Sequence, residues 1–248
     1  MPSHVRNLNG VIAHLPMYDF PSNSAAHKRL WQAFQESVPK APELSSADDG
    51  LIADWLSPDL FLSQTCSLPF RAKLHGHVNL VASPNNNNEG CPDGYYNSVI
   101  LARSGSAPYL PSNDFILAFN EPLSQSGWAA PASVGIVGKS RLQTGGHAAS
   151  ALAVKQGRAD VAAVDALTWH FLCRDWDQAD ALQVVAKTPP TPTLPYITAR
   201  THNPKPLRDA LNKAILELCA QDRETLQIFG LIDISADIYT QYPLPPTP

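Results

Sequence analysis

Apolar positions come in short runs separated by amphipathic stretches. Val11–Leu15, Leu60–Thr65 and Val78–Ala82 read as strands buried on at least one face. Between the first two, Leu30, Trp31, Phe34 and Val38 recur at helical spacing, after Ser22 or Ser24 as cap and before Pro39 and Pro42 as stops. Ser45–Asp49 is expected to open a second helix carrying Leu51, Ile52, Trp55 and Leu56 inward, and Ser67 to cap a short third one. This alternation predicts an α/β sheet with parallel neighbours. A second α/β unit follows. Its strands are Tyr95–Ala102, Phe115–Phe119, Val161–Val164 and Leu182–Ala186, and its helices are Ala148–Gln156, closed by Gly157, and one near Thr168. Pro-rich Thr188–Pro195 reads as a stiff connector into a strand at Tyr196. Leu207, Leu211, Ile215 and Leu218 then mark a helix, with another over 222–229 and a frayed tail at Pro243–Pro248.

At 248 residues, 44% hydrophobic and 16% charged, the chain carries enough apolar material for one or two cores. A net charge of −4 gives no reason to expect nucleic acid or an anionic membrane surface. No apolar run reaches transmembrane length, and the first ten residues lack the apolar core of an export signal. As written, the chain reads as cytoplasmic, or as periplasmic if a leader has been removed. Four cysteines without a C-x-x-C pair form neither a disulfide scaffold nor a zinc site, and no cofactor motif is present. Cys173 and Cys219 are expected as buried apolar residues on helices; Cys66 and Cys91 fall in loops and form a candidate disulfide.

The most suggestive chemistry lies in Asn120-Glu121-Pro122-Leu123-Ser124-Gln125-Ser126-Gly127-Trp128. It follows a strand and opens a short helix, so hydroxyls and amides gather where an anion is favoured. Gly127 is expected to let a ligand approach the main chain. Taken alone, Ser124 reads equally as an N-cap. A second glycine turn, Thr144-Gly145-Gly146-His147, also opens a helix. His147 there should be neutral and able to donate to an anion, or be a surface histidine. Tyr18 follows a strand, the usual ligand position in open α/β sheets. Asp165 follows another strand, with an N-cap role as its alternative.

Several stretches together resemble the phosphate/phosphite/phosphonate (PhnD-like) substrate-binding proteins of ABC transporters. They are Leu15–Asp19, Leu62–Cys66, Gly90-Cys91, Tyr96–Ile100, Asn120–Gly127, Thr144–His147 and Gly157–Asp165, in order along most of the chain. The resemblance implies a type II periplasmic-binding-protein fold: two α/β lobes, two crossing strands and a ligand cleft between them. Lobe one would take residues 1–95 and 190–248, lobe two 96–189. The Ser-x-Ser-Gly turn of the family, here Ser124, Gln125, Ser126 and Gly127, would hold the anionic head group. Tyr18, His147 and Asp165 match the family's first-loop tyrosine, glycine-turn histidine and strand-end acid. The expected ligand set adds Asp19, Thr65, Tyr96 and Thr168. Departures are Asn97, where members often carry a basic residue, and Gln125, where a hydroxyl would add a donor; both favour a weaker anion, or a ligand with a neutral amide, over a fully charged phosphonate.

The partners implied are a small anionic solute and an ABC-transporter permease, with no metal and no chemistry on the ligand. The alternatives are an intracellular lyase of chorismate-dehydratase type, with Asp19, Asp165 or His147 as acid or base, and a cytoplasmic ligand sensor.

Overall fold

The computed structural model describes residues 10–45 and 51–248. The chain opens with β1 (Ile12–His14), α1 (Ser24–Ser37), α2 (Leu51–Trp55), β2 (Leu60–Gln64), α3 (Ser67–Pro69) and β3 (Val78–Asn85). It continues through β4 (Tyr95–Tyr96), β5 (Ser98–Arg103), β6 (Ile116–Phe119), α4 (Ala130–Ser133), β7 (Ser140–Gln143), α5 (His147–Lys155), β8 (Val161–Asp165), α6 (Ala166–Asp175) and β9 (Leu182–Lys187). It closes with β10 (Thr191–Pro192), β11 (Tyr196–Ala199), α7 (Pro204–Glu217), α8 (Ala220–Leu226), β12 (Gly230–Ile232) and α9 (Ala236–Thr240). Two compact units result. The first runs to Asn87 and resumes over Pro192–Tyr242; the second is Asn88–Thr191 with Pro243–Pro248. The expected opening of the second helix at Ser46–Asp49 lies outside the described residues. Among the described residues no helix is long and apolar enough to cross a membrane.

The first unit holds a five-stranded sheet in the order β1-β2-β11-β3-β12. β1 and β2 are parallel, as the strand–helix alternation predicts. Between β2 and β3 sits β11, antiparallel to both, brought back from more than a hundred residues later. Helix α1 buries Leu30, Trp31 and Phe34 against Leu207, Leu211 and Ile215 of α7 and against Ala13, Leu62 and Val81 of the sheet. The stripes read from sequence are thus the two halves of one core. The Trp31 indole N–H donates to the Pro42 carbonyl at 3.0 Å, which seals the helix end. Two cap assignments shift. Asn23, not Ser22 or Ser24, occupies the position before α1, and Cys66 occupies the position before α3, with Ser67 already helical.

The second unit holds a sheet in the order β7-β6-β8-β5-β9. β6 is parallel to both β7 and β8, while β5 runs antiparallel to β8 and β9. Over one face, Ala151 and Ala153 of α5 pack with Ala118 and Ala162 of the sheet beside the larger Val99, Leu101 and Val164. The other face carries the large side chains Phe115, Leu117, Phe119 and Trp128. The carboxyl ends of β7, β6 and β8 therefore lie side by side. In open α/β sheets that edge is where loops and helix starts gather around a ligand.

Three expectations about the ends and cysteines change. The tail Pro243–Pro248, assigned from sequence to the first lobe as a frayed end, groups with the second unit. There the Pro246 carbonyl accepts a hydrogen bond from the Trp128 indole at 2.7 Å. Cys66 and Cys91 form no disulfide. Cys91 belongs to the second unit, so the pair does not share one edge of the first. Cys173 and Cys219 are exposed, because Cys173 lies off the buried face of α6 and Cys219 is the residue before α8.

Candidate functional site

Three strand ends of the second unit deliver the residues singled out from sequence. β6 ends at Phe119 and releases Asn120–Gly127; β7 ends at Gln143 and releases Thr144–His147; β8 ends at Asp165 and leads into Thr168. The first two loops are bonded to each other. Thr144 N–H donates to the Phe119 carbonyl and Gly145 N–H to the Asn120 carbonyl, each at 2.9 Å. The Thr144 hydroxyl also donates to Phe119 O at 3.1 Å and contacts Ser150 Oγ at 2.6 Å. Gly145 has φ +82°, a value open to glycine at little steric cost, so the second loop can turn back at that point.

Residues Gln125–Ala129 form a wide π-helical turn running into α4. Ala129 N–H reaches back five residues to the Ser124 carbonyl at 3.0 Å. Such widened turns occur frequently at functional sites. Ser124 caps the turn: its Oγ accepts the Gly127 N–H at 2.9 Å. The Gly127 amide is therefore already used, and the expectation that it would be offered to a ligand is corrected. Gly127 is also required for a different reason than ligand approach. A Cβ there would lie 2.0 Å from Asn120 Oδ1 and 3.1 Å from Ser124 Oγ. The Ser124 hydroxyl keeps its own proton to donate. The Ser126 amide, in the first turn, has no acceptor among the described residues.

The Ser126 hydroxyl meets His147 Nε2 at 2.9 Å, tying the first loop to the start of α5. Ser124, Gln125 and Ser126 are all buried. His147 keeps partial exposure as a residue, but its Nδ1 is sealed from solvent and has no partner of normal hydrogen-bond geometry. Burial drives the imidazole pKa down to about 4, against a weaker opposing pull from the Ala163 carbonyl. The ring is neutral at pH 7. The tautomer sets the direction of this bond: with the proton on Nδ1, toward the Ala163 carbonyl, Nε2 accepts from the Ser126 hydroxyl, and with the proton on Nε2 the serine hydrogen is left pointing outward.

Asp165 is buried and caps α6, accepting the Thr168 N–H at 2.8 Å. The N-cap alternative for Asp165 is thus observed, and its backbone pairs with Ser98 of β5. Replacing Asp165 with Ala should cost about 1 kcal/mol of stability through the lost cap, measured by urea unfolding; an unchanged midpoint would show that the cap carries no load. Thr168 is buried beside it, and Tyr96 is buried at the start of the same β4–β5 segment.

The first unit contributes its own strand-end residues. Tyr18 follows β1 with φ +61°, a left-handed conformation unusual for a large side chain. The Asn23 amide holds it by donating to the Tyr18 carbonyl at 3.2 Å. An uncommon backbone kept by tertiary bonds is a reason to ask what the side chain is being aimed at. Asp19 is exposed and lies 3.6 Å from His27, whose nearby imidazole keeps the carboxyl below its usual range. Thr65 is fully buried; its hydroxyl donates to the Cys66 carbonyl at 3.3 Å and its N–H to Pro195 at 3.0 Å. Asn120 and Trp128 lie within the stretch singled out from sequence, but their roles were not read there: Asn120 closes on Gly127 and Trp128 packs on Phe119. A recess of about 300 Å³ in this unit, lined by Phe70, His75, Arg200 and Ser235, lies at the start of β3, the opposite sheet edge from the strand carboxyl ends.

The sequence model of one family, the periplasmic substrate-binding proteins of phosphonate ABC transporters, matches residues 59–237. No curated protein matches the chain in sequence. Among solved structures, a binding-protein component of an ABC phosphonate transporter from Pseudomonas aeruginosa aligns with a TM-score of 0.72 at 16% identity, covering 92% of this chain and 82% of that one. PhnD1 from Prochlorococcus marinus, in complex with methylphosphonate, aligns with a TM-score of 0.71 at 15% identity, covering 94% and 95%. A Xanthomonas citri protein bound to ATP gives 0.65 at 14% identity, covering 92% of each chain. At these identities the likeness is one of fold: two α/β units of the periplasmic-binding-protein type.

Proposed function

The chain belongs to the phosphonate ABC-transporter family of periplasmic substrate-binding proteins, and from that premise we propose that it binds a small oxyanion (a phosphonate, phosphate or related solute) on the Ser124–Ser126 turn and returns it unchanged. One observation carries this reading: the ends of β6 and β7 bring the Ser124 hydroxyl, the Ser126 amide and hydroxyl, and a neutral His147 into one bonded cluster. A π-helical turn with an unspent amide favours negative charge through the partial charges of its first peptide units. The donor set is neutral throughout. It supplies hydrogen bonds without a counter-charge, which suits reversible binding of a modestly charged anion. Gln125, Tyr96, Asp165 and Thr168 of the same unit complete the ligand set we propose. A permease is the partner this role calls for.

Isothermal titration with methylphosphonate, phosphate, sulfate and acetate tests the reading. At least one phosphorus oxyanion should bind in the micromolar range or tighter, and ³¹P NMR should return it unaltered after overnight incubation. Binding of none of them, or conversion of any, overturns it. Ser126→Ala should weaken that ligand roughly tenfold, the cost of one hydrogen bond to a charged group. Unchanged affinity would remove Ser126 from the site.

A further inference from the structure

The C-terminal segment Pro243-Leu244-Pro245-Pro246-Thr247-Pro248 packs within the second unit, and one of its hydrogen bonds is informative. Trp128 directly follows Gly127 in the wide turn and is fully buried. Its ring sits 5.6 Å from Phe119, the last residue of β6, and the Arg141 guanidinium of β7 lies 5.3 Å over it. Two sides of the indole are thus packed by the two strands that release the site loops. The indole N–H can only donate, and its acceptor is the Pro246 carbonyl at 2.7 Å. Four of the six tail residues are proline. Fixed φ angles leave such a segment largely extended before it docks, so docking costs little conformational entropy.

We propose that Pro243–Pro248 is a positioning strap for the anion-binding turn. Docked, the Pro246 carbonyl fixes the Trp128 indole and with it the turn that presents Ser126. Released, the indole loses its acceptor, the turn loosens, and oxyanion affinity falls. The segment acts through Trp128 and touches no ligand. The affinity part rests on the reading above; the mechanical part does not.

The test is a chain ending at Tyr242, compared with the full chain by hydrogen-exchange mass spectrometry and by methylphosphonate titration. The amides of Gln125–Ala130 should exchange at least fivefold faster without the strap, and methylphosphonate should bind at least fivefold more weakly. Trp128→Phe, which keeps an apolar ring but removes the N–H, should reproduce faster exchange in the turn and make residues 243–248 more sensitive to proteolysis. Should the truncated chain fail to fold, Trp128→Phe alone decides. Unchanged exchange in both variants overturns the strap. Faster exchange with unchanged methylphosphonate affinity overturns its control of binding. If the full chain binds no oxyanion at all, the proposed function fails, while the exchange experiment still decides whether the strap holds the turn.

Discussion

Gly127→Ala should destabilise the second unit by roughly 1–3 kcal/mol, the usual range for forcing an extra methyl into packed surroundings, and should abolish measurable oxyanion binding. The added Cβ would sit 2.0 Å from Asn120 Oδ1, far inside contact distance. The contact is relieved only by turning the Asn120 amide within its packed surroundings or by moving Gly127. Asn120 Oδ1 is sealed from solvent, and the Asn120 carbonyl is bonded to Gly145 of the neighbouring loop. Moving Gly127 the other way breaks its N–H bond to Ser124 Oγ, the cap of the turn. Either response displaces Ser124 or the second loop, and both carry donors of the proposed site. The double variant Asn120→Ala/Gly127→Ala removes the colliding amide and should recover much of the stability. Thermal unfolding and methylphosphonate titration of the three proteins check this. A single Gly127→Ala variant with native stability and affinity would sink the packing account.

The outcome at Gly127 also marks where sequence reading reached its limit. A strand–turn–helix with glycine and two serines was legible in Phe115–Trp128, because an apolar run ended at Asn120-Glu121-Pro122 and polar caps followed. The neighbouring glycine turn at Thr144–His147 was legible for the same local reason. What glycine excludes at 127 was not, since Asn120 closes on it only after the turn has widened to π spacing. The same division holds across the chain. Helix α1 and helix α7 declared themselves by apolar periodicity, yet their meeting in one core depends on contacts between residues nearly two hundred positions apart. The strand at Tyr196 was expected, but not its insertion between β2 and β3. β7 was missed because its residues are mostly exposed at a sheet edge and show no apolar signal. Prolines in the tail suggested fraying, whereas the same stiffness lets it dock on Trp128.

The pH dependence of stability should expose His147. Its native pKa lies near 4, lowered by burial, against about 6.5 for an unfolded histidine. Above pH 7 the ring is neutral in both states and contributes nothing to the pH slope. As pH falls from 6.5 toward 4, the unfolded chain binds a proton that the native state refuses. Stability therefore falls across that window, by ~3 kcal/mol in all, and this contribution levels off below pH 4. Other groups titrate nearby, among them Asp19 and Asp222, both held low by their partners His27 and Arg29 and so losing stability at more acid pH. The comparison that isolates His147 is urea unfolding of wild type and His147→Gln at pH 7.5, 6.5, 5.5 and 4.5. Gln keeps a group able to bond Ser126 Oγ but cannot ionise, so the difference in unfolding free energy should shift steadily in favour of His147→Gln as pH drops. A bound oxyanion acts in the opposite direction, since negative charge beside the imidazole favours its protonated form. Titrations of methylphosphonate at pH 5.5 in buffers of different ionisation enthalpy should then report proton uptake by wild type and none attributable to this site in His147→Gln. Parallel pH slopes for the two proteins would show that His147 is not held neutral by burial, and the neutral donor set proposed for the turn would have to be abandoned.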